Sequence, residues 1–223
     1  MDIKELTVGL LGGTGPEGRG LALRWAMAGA KVTIGSRSLD RARAAADELN
    51  QRIGSPLVGG EENQVVARES EFVLISIPYE PAAPTVEAHQ DDFAGGAILI
   101  DATVPLTFEK GRVRYVELPE GSSSERLRAV LKPEIPLVAA FKTMPAHLLE
   151  EPHEPLDCDE FVAGDDRDAK ARVIEAMGSI QGLRPLDAGA LENARTLERM
   201  TVLAIGINRR NKIKTARYRV VGL

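Results

Sequence analysis

Cysteine and long apolar stretches are what this sequence most clearly lacks. Its 223 residues include one cysteine, Cys158, so no disulfide can form within the chain. No apolar run approaches the roughly 20 residues that a membrane-spanning helix needs. The N-terminus carries Asp2 and Glu5 and then runs directly into glycines, which is not the pattern of a signal peptide. These absences argue against a secreted, disulfide-stapled protein and against a membrane partner, and they favour the cytoplasm.

An excess of positive charge is also missing. The formal net charge is -5, whereas a protein that binds nucleic acid needs a basic face for the phosphates. We therefore expect no nucleic-acid partner. The exception is the C-terminus, where basic residues recur from Arg209 to Arg219 without an acid. Two interpretations of this segment stay open: a solvated basic tail, or a site for an anionic ligand.

Clusters of catalytic side chains are absent as well. His89, His147 and His153 are scattered, with no partner at the spacing of a metal site or a catalytic triad. Cys158 lies in the acidic stretch DCDE, which is expected to raise the pKa of its thiol and make it a poor nucleophile. The sequence therefore predicts no metal and no catalytic acid, base or nucleophile.

What the chain does have is an alternation of strand and helix patterns. Short apolar runs predict strands at 6–11, 31–34, 71–77, 97–100, 137–141, 160–163 and 182–189. Stretches of helix formers predict helices at 17–27, 39–52, 84–90, 166–177 and 191–208, with caps at Ser38 and Gly29 and a further helix capped by Ser123 or Ser124. Such alternation predicts an α/β fold, a Rossmann-type doubly wound and mainly parallel sheet with a C-terminal helical extension.

A glycine-rich loop lies between the first predicted strand and the first predicted helix. Its glycines, Gly13, Gly15 and Gly18, have the spacing of the dinucleotide fingerprint in the strand–loop–helix context that the fingerprint requires. Gly13 is expected to allow the tight turn, Gly15 to let the backbone approach a pyrophosphate, and Gly18 to pack the helix against the strand. Thr14 adds a hydroxyl donor at the same place. The alternative is a glycine-rich turn without a ligand.

Two residues follow the loop and differ in how well they suit a bound pyrophosphate. Pro16 fits the first turn of a helix, where its missing N–H is not needed. Glu17 does not fit, because a carboxylate there would repel the pyrophosphate unless it points away.

The end of the second predicted strand indicates which dinucleotide binds. A carboxylate at this point would bind the ribose hydroxyls of NAD, but this chain has Ser36 and Arg37. Ser36 can donate a hydrogen bond to a 2′-phosphate, while Arg37 can pair with the phosphate and stack on adenine. Arg41 lies one helical turn further on. We therefore predict NADP(H), the alternative being that Arg37 is only a surface charge.

The strand at 71–77 ends in Ile77 and Pro78. In open α/β sheets, ligands bind outside the carboxyl ends of the strands, so Pro78 would end the strand and expose the following backbone to a cofactor. A simple strand-ending turn is the alternative.

Four motifs together resemble one family, the NADPH-dependent deazaflavin (coenzyme F420) reductases. They are GGTGPEGRGLALRWAMAGAKVTIGSR at the start, SIPYEPA, FKTMPA at 141–146, and GLRPLDAGALENARTLE at 182–198. The resemblance runs over nearly the whole chain, and the GLRPLDAG stretch is its most specific part. It implies NADP(H) as cofactor, F420 as co-substrate, and one compact unit made of an NADP-binding Rossmann domain (1–185) and a C-terminal helix and tail (186–223) that completes the acceptor pocket.

The resemblance also implies which residues form the site. The cofactor-binding set is Gly13, Thr14, Gly15, Pro16, Glu17, Ser36, Arg37, Arg41, Ile77, Pro78, Val104 and Ala146. The substrate-binding set is Thr143, Met144 and Pro145, where nicotinamide and deazaflavin would stack, with Ala188, Gly189 and Ala216 closing the deazaflavin pocket.

Two positions depart from the family pattern. Lys142 stands where archaeal members carry a histidine, and Ala216-Arg217-Tyr218 replaces a glycine-bearing turn.

The expected reaction is hydride transfer between carbon 4 of the nicotinamide and carbon 5 of the deazaflavin. This chemistry requires proximity, orientation and exclusion of water more than a protein acid or base. Alternatives are an NADPH-dependent reductase of an ordinary flavin or other small acceptor, and a non-catalytic NADP-sensing protein. The apolar stripe of the last helix, Leu197, Met200, Leu203 and Ile207, further suggests a homodimer.

Overall fold

The computed structural model describes residues 2–151 and 153–223 and has one large sheet at its centre. Its strands are β1 (Thr7–Leu11), β2 (Lys31–Ser36), β3 (Val58–Glu62), β4 (Phe72–Ile75), β5 (Ile98–Asp101), β6 (Leu106–Glu109), β7 (Arg112–Tyr115), β8 (Leu137–Ala139), β9 (Cys158–Gly164) and β10 (Leu183–Asp187). Its helices are α1 (Pro16–Ala28), α2 (Leu39–Ile53), α3 (Asn63–Glu69), α4 (Tyr79–His89), α5 (Ser123–Val130), α6 (Ala146–Leu149), α7 (Arg167–Met177) and α8 (Ala194–Asn211), the last preceded by a 3-10 turn (Leu191–Asn193). None of the helices so described is both long enough and apolar enough to cross a membrane.

The sheet has the order β10-β9-β8-β5-β4-β1-β2-β3, which confirms the doubly wound prediction. The chain winds outward from β1 in one direction through β2 and β3 and in the other through β4 and β5, so the order reverses between β1 and β4. A crevice opens at such a reversal, at the carboxyl ends of the strands. We call this side of the sheet the binding edge.

The direction of the strands reverses at β9. Strand β9 pairs antiparallel with β8, and β10 then pairs parallel with β9. As a result β9 begins, at Cys158, on the binding edge where β1, β4, β5 and β8 end. Strand β10 ends, at Asp187, on the opposite edge.

Apolar residues fill the space between the sheet and its helices on both faces. On one face Trp25 is fully buried, with edge-to-face ring contacts to Phe72 at 6.5 Å and to Phe141 at 6.1 Å between ring centroids. The other face is packed by residues from α3, α4 and α5, among them Val66, Val86 and Leu127. The helices and strands that carry the binding edge are therefore held by a continuous core.

Most predicted elements are present with boundaries shifted by a few residues. Gly29 ends α1 in a left-handed conformation (φ 104°), and Ser38 precedes α2, as predicted. The predicted cap of α5 is wrong by one residue, because the side chain of Ser122 accepts the hydrogen bond from the backbone N–H of Glu125. Ser123 and Ser124 are instead buried inside the helix, where Ser124 donates to Asp101.

Five elements were not predicted, one of which is the short helix α6. Strand β3 and helix α3 follow α2, and the hairpin of β6 and β7 follows β5. The hairpin turns at Lys110 and Gly111, which both have positive φ (46° and 76°). It packs against α8, where the guanidinium of Arg199 lies 4.5 Å from the ring centroid of Tyr115. Hairpin and C-terminal helix thus form one layer over the binding edge.

The proposed division of the chain at residue 185 falls inside β10. Strand β10 is a full member of the eight-stranded sheet, paired with β9 over five positions from Leu183 to Asp187. The C-terminal helix therefore follows directly from the last strand of the sheet.

Candidate functional site

A cavity of about 480 Å³ lies on the binding edge, between the sheet and α8. This volume is in the range typical of small-molecule sites. The described residues that line it are Gly15, Pro16, Glu17, Ser76, Ile77, Pro78, Tyr79, Thr103, Val104, Leu106, Lys142, Thr143, Met144, Pro145, Ala146, Thr201, Ala204, Ile205, Asn208, Lys214 and Ala216. They come from the ends of four strands and from the C-terminal layer.

The glycine loop forms one end of the cavity. Gly12 takes the left-handed conformation of the turn (φ 69°), a role that the sequence had given to Gly13. Gly13 is required for another reason, since a Cβ there would lie 2.7 Å from the Cβ of Leu10. At Gly18 a Cβ would lie 2.7 Å from the Cα of Gly13, which confirms that Gly18 allows close helix–loop packing.

Gly15 has a different environment from the other glycines of the loop. A Cβ at Gly15 would meet no atom within 4 Å, so the space beside its backbone is open. This space lies at the N-terminus of α1, where backbone N–H groups are unpaired and the helix dipole favours an anion. The loop therefore offers room and donors for a phosphate group.

Asn63 supports the loop from below and was not predicted. Its buried side-chain oxygen accepts a hydrogen bond from the backbone N–H of Gly12 at 3.3 Å. It also fills the space beside Gly35, where a Cβ would lie 2.7 Å from the same oxygen. Asn63 begins α3, a helix that the sequence did not predict, so its role went unseen.

Polar and basic side chains lie at the end of β2, next to the loop. Ser36 is buried and its hydroxyl accepts a hydrogen bond from the backbone N–H of Ser38 at 3.2 Å. Arg37 and Arg41 are exposed, and neither makes a hydrogen bond or ion pair within residues 2–151 and 153–223. Two unpaired guanidinium groups beside a serine hydroxyl provide donors for a second phosphate.

The middle of the cavity is apolar. Ile77 and Pro78 from the end of β4, Val104 after β5, and Met144 and Pro145 after β8 all line it. The structure thus brings together, from three separate stretches of sequence, residues that the family resemblance had assigned to one place. Such a surface excludes water and suits flat aromatic rings.

Thr143 is fixed by a carboxylate from β9. Its hydroxyl donates to Glu160 at 2.7 Å, and its backbone N–H donates to the same carboxylate at 3.3 Å. Burial raises the pKa of Glu160 to about 7, although these donors oppose the shift. Glu160 reaches the site because β9 begins on the binding edge.

Lys142 forms a buried ionic network rather than a contact for a ligand. Its ammonium group donates to Asp101 at 2.8 Å, to the carbonyl of Thr103 at 2.6 Å and to Glu198 at 3.1 Å. These bonds use all three of its donors. The carboxylates keep the pKa of Lys142 above its usual value despite burial.

The same network attaches α8 to the sheet. Glu198, on α8, also accepts from the hydroxyl of Tyr115 at 2.8 Å and from the backbone N–H of Ser123 at 2.9 Å. Asp101 ends β5, and its other oxygen accepts from the backbone N–H of Thr103 at 2.9 Å. Through Lys142, therefore, the C-terminal helix is positioned relative to the strand ends.

Glu17 lies on the cavity wall at the start of α1. Burial raises the pKa of its carboxyl to about 8; Lys142 opposes the shift, whereas Glu160 and Asp101 add to it. The side chain keeps some exposed area because one side opens onto the cavity. The raised pKa favours the uncharged carboxyl, which would not repel a pyrophosphate.

The opposite wall comes from α8 and the tail. Thr201, Ala204, Ile205 and Asn208 line the cavity at helical spacing, and the side chain of Asn208 accepts from the backbone N–H of Ala216 at 2.9 Å. Ala216 lines the cavity as expected. The sequence missed the helical stripe because only Ile205 among its members is a large apolar residue, so the stripe does not stand out as an apolar face.

The apolar stripe that the sequence did identify on α8 divides in two. Leu197 is buried in the core and Met200 packs against it. Leu203 and Ile207 point outward, with 57% and 38% of their surface exposed.

Ala188 and Gly189 do not border the cavity, contrary to expectation. They follow β10 at the opposite edge of the sheet, where the N–H of Ala188 bonds to the carbonyl of Val162 at 2.8 Å and the N–H of Gly164 to the carbonyl of Gly189 at 3.0 Å. The physical reason is the reversal at β9, which sends β10 away from the binding edge. These two residues are excluded from the site described below.

A second, shallower depression continues from the cavity. It shares Ile205, Asn208 and Lys214 with the cavity and is completed by His147, Arg209, Lys212 and Ile213. We call it the basic groove, since its lining residues include no acid. Lys212 and Lys214 make no ion pair or hydrogen bond in the part of the chain that the structure describes.

Three other basic residues of the C-terminus already have partners, whereas the side chain of Arg210 is exposed and has none among the described residues. Arg217 and Arg219 both contact Asp157, and Arg209 lies over the ring of Phe108. The tail is therefore neither uniformly free nor uniformly bound. Its unpaired positive charge is concentrated at the basic groove.

The histidines and the cysteine lie as a non-catalytic role requires. His147 and His153 are exposed, and His89 contacts Asp92 at 3.3 Å. The thiol of Cys158 is buried 3.8 Å from the sulfur of Met144. Burial, with the charge of Glu160, raises its pKa to about 12, which confirms the predicted direction.

Comparison with known proteins places this geometry in context. A family model described as "NADP oxidoreductase coenzyme F420-dependent" matches residues 7–105. The F420-dependent NADP reductase of Methanothermobacter thermautotrophicus is 38% identical over 226 residues, covering 99% of this chain and 97% of that protein. The F420-dependent NADP reductase of Methanocaldococcus jannaschii is 37% identical over 224 residues, covering 98% and 99%.

A solved structure is similar over the same extent. It is that of an Arthrobacter sp. FB24 protein, for which F420-dependent NADP reductase activity is itself inferred, with a TM-score of 0.82 and 26% identity. The match covers 97% of this chain and 100% of that one. Similarity in sequence and in fold therefore both extend from the glycine loop to the C-terminal layer.

Proposed function

This chain belongs to the family of the F420-dependent NADP reductases, and from that premise we propose how its cavity transfers a hydride between NADP(H) and the deazaflavin coenzyme F420. The protein is an oxidoreductase with NADP(H) and F420 as its substrates. The observation that carries the proposal is the apolar cavity that runs without a break from the glycine loop to α8.

The dinucleotide is proposed to lie along the binding edge, with its diphosphate over Gly15. Support comes from the open space beside Gly15 and from the free N–H groups at the start of α1, with Thr14 and Pro16 next to them. Gly13 contributes by bringing the loop close to the strand.

The additional phosphate of NADP(H) is proposed to bind Ser36, Arg37 and Arg41. The two arginines are the unpaired cations next to the end of β2, and a guanidinium group can bind a phosphate through two parallel hydrogen bonds. This arrangement favours NADP(H) over NAD(H), because only the former carries a 2′-phosphate.

The nicotinamide is proposed to lie between Ile77, Pro78 and Val104 on one side and the segment 143–146 on the other. Thr143, Met144, Pro145 and Ala146 would hold the two ring systems face to face. When both substrates are bound, a hydride passes between carbon 4 of the nicotinamide and carbon 5 of the deazaflavin. The side chains of the cavity orient the rings and exclude water.

The deazaflavin is proposed to enter from the side of α8. Ala204 and Ile205 would contact the ring, and Ala216 would close the pocket in place of Ala188 and Gly189. The anionic tail of the coenzyme would leave along the basic groove, where Lys212 and Lys214 are unpaired. This interpretation favours an anionic ligand over a merely solvated basic tail.

We further propose a homodimer and a cytoplasmic location. The dimer is supported by Leu203 and Ile207, two exposed apolar side chains one turn apart on α8. Light scattering would test it, and Leu203→Glu should then give a monomer. The location is supported by the single cysteine, whose thiol is buried and free.

Anaerobic mixing with NADPH tests the function. With F420 we expect loss of absorbance at 420 nm; bleaching of FMN instead would identify an ordinary flavin reductase, and binding without turnover a non-catalytic NADP-sensing protein. A matched variant, Ala204→Phe, places a ring in the acceptor half alone. It should abolish deazaflavin reduction and leave NADPH binding intact.

A further inference from the structure

Glu17 is the only acidic residue among the described residues that line the cavity. It occupies the second position of α1, directly after the loop proposed to hold the diphosphate. Hydride transfer itself gives no reason for an acid at this point. A carboxylate at this point would repel a highly anionic ligand, so its presence needs a physical explanation. The explanation given below rests on the proposed binding of NADP(H).

The carboxyl of Glu17 lacks a partner. Within residues 2–151 and 153–223 neither of its oxygens takes part in a hydrogen bond or an ion pair. Carboxylates that remain ionised inside proteins are stabilised by donors or by a close cation. Glu17 has no hydrogen-bond donor or ion-pair partner among the described residues, although the charge of Lys142 favours its ionised form, and its side chain lines the cavity.

The charged groups that face Glu17 come from three elements. Asp101 lies at the end of β5, Lys142 follows β8, and Glu160 belongs to β9. The ammonium group of Lys142 has committed its donors to Asp101, Thr103 and Glu198. Lys142 therefore acts on Glu17 through its charge and makes no ion pair with it among the described residues.

Glu160 differs from Glu17 in its hydrogen-bond partners. Glu160 accepts two hydrogen bonds from Thr143, and its pKa is about 7. Glu17 receives none, and its pKa is about 8. The two groups interact, and the charge of Glu160 raises the pKa of Glu17, so they titrate as a coupled pair.

We propose that Glu17 takes part in dinucleotide binding as a neutral carboxylic acid that donates a hydrogen bond to an oxygen of the bound NADP(H). Protonation removes the repulsion between this side chain and the phosphates and turns an acceptor into a donor. Ionised Glu17 opposes binding. The residue is thus a positioning group whose proton is part of the binding equilibrium.

The sign of the pH dependence follows from linkage. Binding favours the protonated form, so the affinity for NADP(H) is constant below about pH 8, where the free protein already carries the proton. Above that pH the affinity falls, by up to roughly tenfold per pH unit. Proton uptake on binding is small at pH 7, about half a proton at pH 8, and close to one at pH 9.

Isothermal titration calorimetry with NADPH, in pairs of buffers that differ in ionisation enthalpy, measures both quantities from pH 7.0 to 9.5. The 2′-phosphate, whose second pKa is about 6, is about nine-tenths ionised at pH 7 and contributes little at pH 8 and above. The variants are Glu17→Gln, a neutral isostere that still donates, and Glu17→Leu, which is neutral but cannot donate. Glu80→Gln, an exposed acid at the start of α4, is the matched control.

We expect the wild type and Glu80→Gln to show the pH dependence, and Glu17→Gln to bind at pH 7 like the wild type with no proton uptake at any pH. Glu17→Leu should also lose the pH dependence but bind about fivefold to tenfold more weakly. Glu160→Gln removes a neighbouring negative charge and should move the loss of affinity to a lower pH.

A wild-type affinity that stays constant from pH 7.0 to 9.5 would overturn the inference, as would proton uptake that persists in Glu17→Gln. Equal affinities of the Gln and Leu variants would overturn the donor role. All of these outcomes are obtained with NADPH alone. They therefore differ from failure of the proposed function, which would appear as NADPH binding without deazaflavin reduction.

Discussion

The two walls of the cavity are built on different physical principles. On the sheet side, Gly12, Gly13 and Gly18 set the position of the backbone, because there is no room for a side chain or only a left-handed conformation fits. On the other side, α8 is positioned by side chains, chiefly through Glu198 and its bonds to Lys142 and Tyr115. One wall depends on close packing and the other on a buried polar network.

This difference assigns the two substrates different kinds of site. The sheet wall is continuous with the core and presents backbone donors, which suits a dinucleotide shared by many enzymes. The C-terminal wall can change through a few side chains without disturbing the sheet. In the proposed arrangement it is therefore the wall that would set the choice of acceptor.

The largest effect is expected for Lys142→Met, which breaks the connection between the walls. Asp101 and Glu198 would remain buried without their cation, so we expect a loss of about 3–5 kcal/mol in the free energy of unfolding. Urea unfolding measures it. In the surviving folded protein, NADPH should still bind while deazaflavin reduction falls.

Lys132→Met is the matched control, since Lys132 makes an exposed ion pair with Asp91. Its loss should cost less than about 1 kcal/mol. A Lys142 variant as stable as this control would show that the network does not hold α8.

A second test affects the sheet wall alone. Arg37→Ala should weaken NADPH binding about 10- to 100-fold, because it removes charged hydrogen bonds to the 2′-phosphate. NADH binding should hardly change. Fluorescence titration with both dinucleotides measures the ratio, and Arg43→Ala, an unpaired arginine on another face of α2, serves as control. Equal losses in the two variants would point to a general effect of charge.

A third, smaller effect is expected at Gly15. A methyl group there meets no protein atom, so Gly15→Ala should leave thermal stability nearly unchanged. It would occupy the space proposed for the diphosphate and weaken NADPH binding about tenfold. Calorimetric melting and titration together separate the two quantities. Destabilisation without a loss of affinity would contradict the assignment.

The smallest effect concerns the basic groove. Lys214→Ala should raise the KM for F420 about twofold to fivefold, as expected for one exposed charge. The KM for a deazaflavin without its anionic tail should not change. Lys110→Ala, at the exposed tip of the hairpin, is the control. If the KM for the tail-less deazaflavin rose by the same factor, Lys214 would act on the binding of the ring and not of the anionic tail.

The sheet wall could be predicted because residues that are close together in the sequence specify it. A strand followed by Gly13, Gly15 and Gly18 has few other interpretations, and Ser36 and Arg37 follow at a fixed distance. Strand β3 was missed because VGGEE contains a single apolar, β-branched residue, Val58, whereas a typical strand has several. Helix α3, which follows β3, was missed as well. The role of Asn63 was missed with it, because Asn63 begins that helix.

Most of the C-terminal wall could not be predicted, because it depends on strand pairing and on contacts between residues that are far apart in the sequence. Nothing in the sequence around Cys158 shows that β9 pairs antiparallel with β8, and this reversal alone moves Ala188 and Gly189 to the opposite edge. Lys142 looked like a departure from the family pattern at a ligand site. Only the folded structure shows that its ammonium group is paired with Asp101 and Glu198, which lie 41 and 56 positions away in the sequence.

Trp25, enclosed by Phe72 and Phe141 in the core, gives the molecule a built-in optical reporter. It is the sole tryptophan, and in the folded protein it is shielded from solvent. Its emission should accordingly be blue-shifted in the native state and move to the red when the chain unfolds. Excitation at 295 nm can thus follow the folding of every variant without a label or an introduced chromophore.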